Sequence, residues 1–371
     1  MPDIFVYGTL RHVPLLNQIA GEVPLTRPGA LSGYRVATTL GADHPMIVAE
    51  SGARAEGLIC SLSDAGFARL DWYEKIYDFR IHPVQVAGPE GDQPALVWFP
   101  GTQSGVPGAP WQLADWVAGW GDLALIAAGE AMESYGARPP DQIGHYWQGY
   151  QFRAASALRA QAAPAPKRGS ALLAAEVEVL STQISHAGYF ITRTDRLRHP
   201  TYAGGLSPVI ERETYLCGDA CVVLPYDPQS DRVLLTEQFR MGPFRRGARY
   251  PWVIEPVAGR IDAGETAEDS ARRECLEEAG VTPDALLPVA NYYSSSGSTS
   301  EYIYTFVGLC DLSARPEGGG GLEHEGEDIR TLLLSFDAAM DLVSSGEAED
   351  GPLILLLLWL QRERPRLRAT A

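Results

Sequence analysis

The sequence predicts a chain of mixed α+β / α/β class: a small β-rich N-terminal domain, a helical connector, and a C-terminal α/β domain. Three observations predict it. At 371 residues the chain is too long for one ordinary domain. The stretch Gln161-Ala162-Ala163-Pro164-Ala165-Pro166-Lys167-Arg168-Gly169-Ser170 lacks hydrophobic periodicity and separates two patterned regions, as a linker does. On each side of it, short β-rich runs alternate with one stretch of helical spacing. The boundaries drawn from this are 1–105 for the first domain, 106–170 for the helical connector and linker, and 171–371 for the second domain.

In the first domain the runs Ile4-Phe5-Val6-Tyr7, Gly57-Leu58-Ile59-Cys60 and Leu96-Val97-Trp98-Phe99 read as strands broken by Gly and Pro. Leu113, Trp116, Val117 and Trp120 then fall at helical spacing. After the linker, Ala220–Leu224, Arg232–Leu235 and Tyr302–Val307 read as strands, interrupted by one strong helix over about Glu265 to Ala279. The run Leu353–Leu360 reads as a buried C-terminal helix, because it is far too short to cross a bilayer. Gly318-Gly319-Gly320-Gly321 reads as a mobile loop.

Composition excludes some partners. Hydrophobic residues make up 45% and charged residues 21%, ample for soluble cores. A formal net charge of −17 repels nucleic acid unless a basic patch is segregated, and no basic block is long enough. The five cysteines contain no C-x-x-C pair, and the N-terminus shows neither a basic region nor a long apolar stretch. The expectation is a cytoplasmic protein that engages neither nucleic acid nor membrane.

The helix near residue 270 carries the chemistry. Thr266, Glu268 and Asp269 favour its start, and Gly280 is a natural C-terminal cap. Glu274, Glu277 and Glu278 stand at i, i+3 and i+4, so their carboxylates share one face. Alone, such a cluster is more often a solvated acidic face. A hard divalent cation among them would relieve the repulsion, and Mg²⁺ or Mn²⁺ prefers oxygen ligands. The full string is Gly259, five residues, Glu265, seven residues, Arg273-Glu274-Cys275, one residue, Glu277-Glu278, one residue, Gly280-Val281.

That string resembles the Nudix box at every fixed position, with Cys275 where an aliphatic residue is usual. The resemblance implies an α/β/α sandwich and water attack on a nucleoside diphosphate, with Mg²⁺ as cofactor and Mn²⁺ as a substitute. By resemblance Glu274 and Glu278 are direct metal ligands, Glu277 a further ligand, and the carbonyl of Ala258 another. Arg273 and Glu265 are the pair that orients them. Gly218-Asp219-Ala220, Leu235 to Arg240, Ile254 to Gly259 and Ser295 to Glu301 resemble the ADP-ribose diphosphatase subfamily, apart from Ser296, where proline is usual. In that subfamily an aromatic at Tyr189 stacks on adenine, often across a homodimer interface. Arg212, Glu213, Arg240 and Glu301 line nucleotide and terminal ribose. The general base is expected at Glu325, with Glu327 as the fallback.

The N-terminal run Phe5-Val6-Tyr7-Gly8-Thr9-Leu10-Arg11, followed by Leu70-Asp71-Trp72-Tyr73-Glu74, Tyr77 and Arg80, resembles the γ-glutamylcyclotransferase-like fold. The resemblance implies a small β-barrel whose cavity is lined by Tyr7, Gly8, Thr9 and Leu10, with Glu74 as proton carrier. Lys75, where glycine is usual, is a candidate partner that would hold Glu74 ionised. The fusion resembles bacterial tellurite-resistance proteins of the same arrangement. Three functions stay open: a hydrolase acting on the diphosphate of ADP-ribose or a related ADP-sugar, a bifunctional enzyme with added cyclotransferase activity, and a non-catalytic nucleotide sensor.

Overall fold

The computed structural model describes residues 3–102, 104–170, 172–313, 319–321 and 328–369. The chain divides into two compact units, Met1–Ala165 and Pro166–Ala371.

The first unit runs β1 (Asp3–Val6), α1 (Val13–Ala20), β2 (Leu25–Thr39), β3 (Pro45–Ser61), α2 (Asp64–Glu74), β4 (Phe79–Gly88), β5 (Gly91–Pro100), β6 (Pro107–Pro110), α3 (Leu113–Met132), α4 (Pro140–His145) and α5 (Trp147–Gln161). Its strands follow the order β3-β1-β5-β4-β2, and a β2–β3 pairing closes them into a five-stranded barrel, with β6 added to β2. Closure leaves the five strands no open edge. It also requires close approach of backbones. A Cβ at Gly57 would meet the Val6 carbonyl oxygen at 2.4 Å and the Phe5 ring at 2.5 Å, so only glycine lets β1 lie against β3 there. The helical segment expected as a connector belongs instead to this unit. Small residues Ala124, Ala127, Ala128 and Ala131 are buried on α3, which packs on α1 and α5.

The second unit runs β7 (Glu178–Ala187), β8 (Ile191–Arg198), β9 (Ile210–Leu216), β10 (Ala220–Asp227), β11 (Arg232–Phe239), α6 (Met241–Arg246), β12 (Trp252–Glu255), β13 (Val257–Arg260), α7 (Ala267–Ala279), β14 (Ala285–Tyr293), β15 (Tyr302–Leu309), β16 (Gly319–Gly320), β17 (Ile329–Ser335), α8 (Phe336–Ser345) and α9 (Gly351–Ala369). Strands β7, β8 and β9 form a separate three-stranded sheet. The main sheet runs β14-β15-β10-β11-β17-β16, with β12 on β11 and β13 on β10.

Strand β10 shows why this sheet is a middle layer. Cys221 and Val223 pack with Ala271, Cys275 and Ala279 of α7, whereas Val222, Leu224 and Tyr226 pack with α8 and α9. Alternation with period two sends successive side chains to opposite faces, and both faces are covered. On α9, Leu353, Leu356, Leu357 and Leu360 are fully buried at helical spacing. Each contributes about 1.5–3 kcal/mol through burial. Among the described residues no helix is long and apolar enough to cross a membrane. Part of the glycine run departs from its expectation as a loop. Gly319 and Gly320 pair with Arg330 and Ile329, and the Gly321 N–H donates to the Glu277 carbonyl at 3.3 Å.

Candidate functional site

Helix α7 begins where the Thr266 side chain accepts from the Asp269 N–H, and it ends at Gly280 in the left-handed conformation (φ 61°). Its start lies two residues after Glu265, so that glutamate sits in the preceding loop and faces back onto the helix. Arg273 meets it with two hydrogen bonds, Nε to Oε1 at 3.1 Å and Nη2 to Oε2 at 3.0 Å. Burial raises the Glu265 carboxyl, but hydrogen bonds from Arg273 and Ser270 outweigh it and hold it below the ordinary value. The same guanidinium donates through Nη1 to Glu274 at 2.7 Å and Glu277 at 3.1 Å, and through Nη2 to the Arg260 carbonyl at 3.1 Å.

The two expected direct ligands lie against β13. Glu278 is 3% exposed, and its Oε2 accepts from the Ala258 N–H at 3.0 Å. A Cβ at Gly259 would fall 1.9 Å from Glu274 Oε1, so the carboxylate occupies the space a side chain would take. Among the described residues no three acidic, histidine or cysteine side chains converge into a ready-made metal cluster. The Arg273 guanidinium, itself a cation, bridges Glu274 and Glu277 through Nη1. The donor set still fits a hard divalent ion, since carboxylate oxygens crowd a strand whose glycine leaves room for them.

Tyr189 and Glu301 come together around Arg260, a residue the sequence reading passed over. Its guanidinium lies 5.5 Å from the Tyr189 ring centre and 5.6 Å from that of Phe190. Arg260 Nε donates to the Tyr189 hydroxyl at 3.2 Å, and Glu301 interacts with it electrostatically. Only its place just after Gly259 in the box could have signalled it. Arg240 makes a two-oxygen ion pair with Glu255, with Nε at 3.0 and 2.9 Å, and feels the charge of Glu278. Arg212 and Glu213 are exposed on β9, where Arg212 donates to the neighbouring Glu211 carbonyl. Glu325 and its fallback Glu327 lie outside the described residues.

A second candidate site lies in the barrel. Tyr7, Gly8, Thr9 and Leu10 line a pocket of about 420 Å³, part of it open to solvent, together with His44, Glu74, Tyr77 and Trp98. The Tyr7 hydroxyl donates to the Trp98 carbonyl at 3.0 Å. Glu74 closes α2 and is 9% exposed. Lys75 does not pair with it, contrary to expectation. The ammonium turns to Asp71, one helical turn back, at 2.6 Å. Burial, with Asp71 adding to it, therefore pushes the Glu74 carboxyl up to about 8.

A glutamate-bearing helix packed on one face of a sheet whose other face is covered by α8 and α9 is the architecture expected of a hydrolase of the Nudix type. Residues 218–357 match the NUDIX domain family, and residues 4–118 match the family described as "Gamma-glutamyl cyclotransferase, AIG2-like". The chain is 36% identical to the ADP-ribose pyrophosphatase of Escherichia coli (strain K12) over 193 residues, 52% of this chain and 91% of that one. It is 35% identical to the ADP-ribose pyrophosphatase of Haemophilus influenzae over 195 residues, 52% of this chain and 89% of that one. Identity to a GDP-mannose pyrophosphatase of Escherichia coli (strain SMS-3-5) is 34% over 151 residues, 41% of this chain and 78% of that one. The chain belongs to the Nudix family and is a Nudix hydrolase with an N-terminal cyclotransferase-like domain.

The Glu74 environment has a consequence for stability. Its folded value near 8 exceeds the unfolded carboxyl value near 4.5, so the folded form binds the extra proton between them. That stability is complete below the unfolded value and is lost as pH rises through about 8. Urea unfolding of the full chain from about pH 5 to about pH 9 should show a loss on the order of a few kcal/mol that Glu74→Gln removes. Parallel pH profiles for the two proteins would refute the buried neutral carboxyl.

Proposed function

We propose that the C-terminal unit hydrolyses the diphosphate of ADP-ribose, or of a related ADP-sugar, to AMP and ribose 5-phosphate in a Mg²⁺-dependent reaction. The observation that supports this most is the placement of Glu274 and Glu278 against the 258–259 backbone, with Arg273 bonded to Glu274. The names of the relatives favour ADP-ribose over other nucleotide sugars. A divalent cation bound there would neutralise the diphosphate and make a water easier to deprotonate.

In this reading Glu274, Glu278 and the Ala258 carbonyl hold the ion, and Glu277 assists once released by Arg273. Arg273, fixed by Glu265, keeps Glu274 turned onto Gly259. Tyr189, 59% exposed, offers its ring to adenine, and a homodimer through this unit would cover it. Arg212, Glu213, Arg240 and Glu301 line the nucleotide and the terminal ribose. Glu325 serves as general base. AMP should appear from ADP-ribose with Mg²⁺ and stop with EDTA, which separates an enzyme from a sensor. Glu325→Gln should slow turnover by roughly 100-fold or more without loss of folding. A hydrolysis panel of ADP-ribose, ADP-sugars, NADH and dinucleoside polyphosphates with no turnover would overturn the substrate assignment.

The barrel supports a second reading, favoured by Glu74 at its pocket, a buried carboxyl pushed up to about 8 that Lys75 leaves for Asp71. Here a γ-glutamyl compound would cyclise. Its α-amine nitrogen bonds the γ-carbonyl carbon, the amide C–N bond breaks, and Glu74 carries the proton from the α-amine to the leaving amine. The products are 5-oxoproline and the free amine. Release of 5-oxoproline should rise with pH through about 8, as Glu74 gains its base form, and should be lost in Glu74→Gln. No 5-oxoproline from any γ-glutamyl substrate would refute this reading.

A further inference from the structure

The last residue of β13 touches both ends of the candidate nucleotide site. The Arg260 carbonyl accepts from Arg273 Nη2 at 3.1 Å, which ties it to the glutamate helix, two residues after Ala258. Its side chain reaches the three-stranded sheet, which is separate from the main one. There Tyr189 and Phe190 stand between β7 and β8. The Arg260 guanidinium lies 5.5 Å and 5.6 Å from their ring centres, and its Nε donates to the Tyr189 hydroxyl at 3.2 Å.

The joint beside Arg260 is closed by hydrogen bonds. The Tyr215 N–H donates to the Ser298 carbonyl at 2.9 Å, the Ser300 N–H to the Tyr215 carbonyl at 3.1 Å, and the Ser300 hydroxyl to the Cys217 carbonyl at 3.0 Å. Phe190 packs on Tyr215 with ring centres 4.4 Å apart. Arg260 Nη1 adds a bond to the Gly218 carbonyl at 3.4 Å, and Glu301 offers it an opposite charge. The Tyr189 ring is the loose part of this wall, because it is 59% exposed. Exposed side chains change rotamer within picoseconds to nanoseconds. A cation near the ring and a bond to its hydroxyl restrain it, while its exposed surface stays open to a planar base. A ring held in place beforehand stacks a base at lower entropic cost.

We propose that Arg260 is a positioning residue for nucleotide recognition. It holds the Tyr189 ring in a fixed place relative to the face formed by Glu274, Glu278 and the 258–259 backbone, so that the base and the diphosphate of one substrate are engaged together. The inference rests on the reading of Tyr189 as the adenine shelf, and it gives Arg260 no contact with the reacting atoms. The main chain of Arg260 serves the helix and its side chain serves the shelf. A substitution that changes only the side chain therefore separates the two roles.

The test compares the full wild-type chain with Arg260→Met, Tyr189→Ala and the double variant, by calorimetric binding of AMP and by KM and kcat for ADP-ribose. Arg260→Met should weaken AMP about tenfold and raise KM by a similar factor, with kcat within about twofold. Ribose 5-phosphate, which lacks a base, should inhibit this variant as well as it inhibits wild type. Mn²⁺ binding should be unchanged, because the carbonyl bond to Arg273 remains. In the Tyr189→Ala background the same change should cost at most about twofold, since the shelf it supports is gone. Arg260→Lys keeps a cation near the rings without the planar fork, so its losses should be smaller and in the same direction. It carries the test if the methionine variant does not fold. Unchanged AMP affinity in the folded Arg260 variants, or equal losses with and without Tyr189, would overturn the positioning role while leaving the adenine shelf in place. Unchanged AMP affinity in Tyr189→Ala would overturn the shelf, and the role of Arg260 with it. Failure of wild type to bind AMP would overturn the nucleotide reading as a whole.

Discussion

Three carboxylates within two turns of a helix repel one another, and in this protein one guanidinium offsets the charge of two of them, Glu274 and Glu277. Arg273 reaches Glu265, Glu274, Glu277 and the Arg260 carbonyl at once. A planar fork can hold such divergent partners, whereas a lysine ammonium offers a point charge without that geometry. The bond to the Arg260 carbonyl ties α7 to β13. On that strand the absence of a side chain at Gly259 lets Glu274 lie flat against the backbone. The buried side of α7, with Ala271, Cys275 and Ala279 against the sheet, keeps this acidic face in register.

The two units use buried glutamates in opposite ways. Glu278 is nearly inaccessible but receives the Ala258 N–H. Glu74 is also buried, but Lys75 leaves it for Asp71. Its carboxyl is therefore pushed up to about 8, close to the range where a proton carrier can both take up and give up a proton. The difference comes from a local alternative: a lysine on a helix can reach the residue one turn back, and Asp71 stands there.

Much of this was legible from residue spacing. The period of α7, its caps at Thr266 and Gly280, and the sharing of one face by its glutamates all follow from helix geometry. The strands at Ala220, Arg232 and Tyr302 follow from apolar runs. The barrel's closure was not legible, because pairing β2 with β3 is a long-range event that no local pattern encodes. The pairing choice of Lys75 depended on two competing acids at similar reach, and only three-dimensional positions decide between them. Arg260 was missed because its partners, Tyr189 and Glu301, are distant in sequence. The placement of α3 with the barrel was hidden for the same kind of reason: its buried face is mostly alanine and glycine, which gives a weak amphipathic signal.

The claim on which the rest depends is that the face formed by Glu274, Glu278 and the 258–259 backbone holds a divalent cation. Mn²⁺ binding to the full chain, followed by electron paramagnetic resonance, tests it directly when wild type is compared with Gly259→Ala. The added methyl would fall 1.9 Å from Glu274 Oε1 and must displace that carboxylate. The expected result is Mn²⁺ binding by wild type and at least about tenfold weaker binding by the variant, with circular dichroism unchanged. Equal affinity in the two folded proteins would contradict the assignment of the metal to this face.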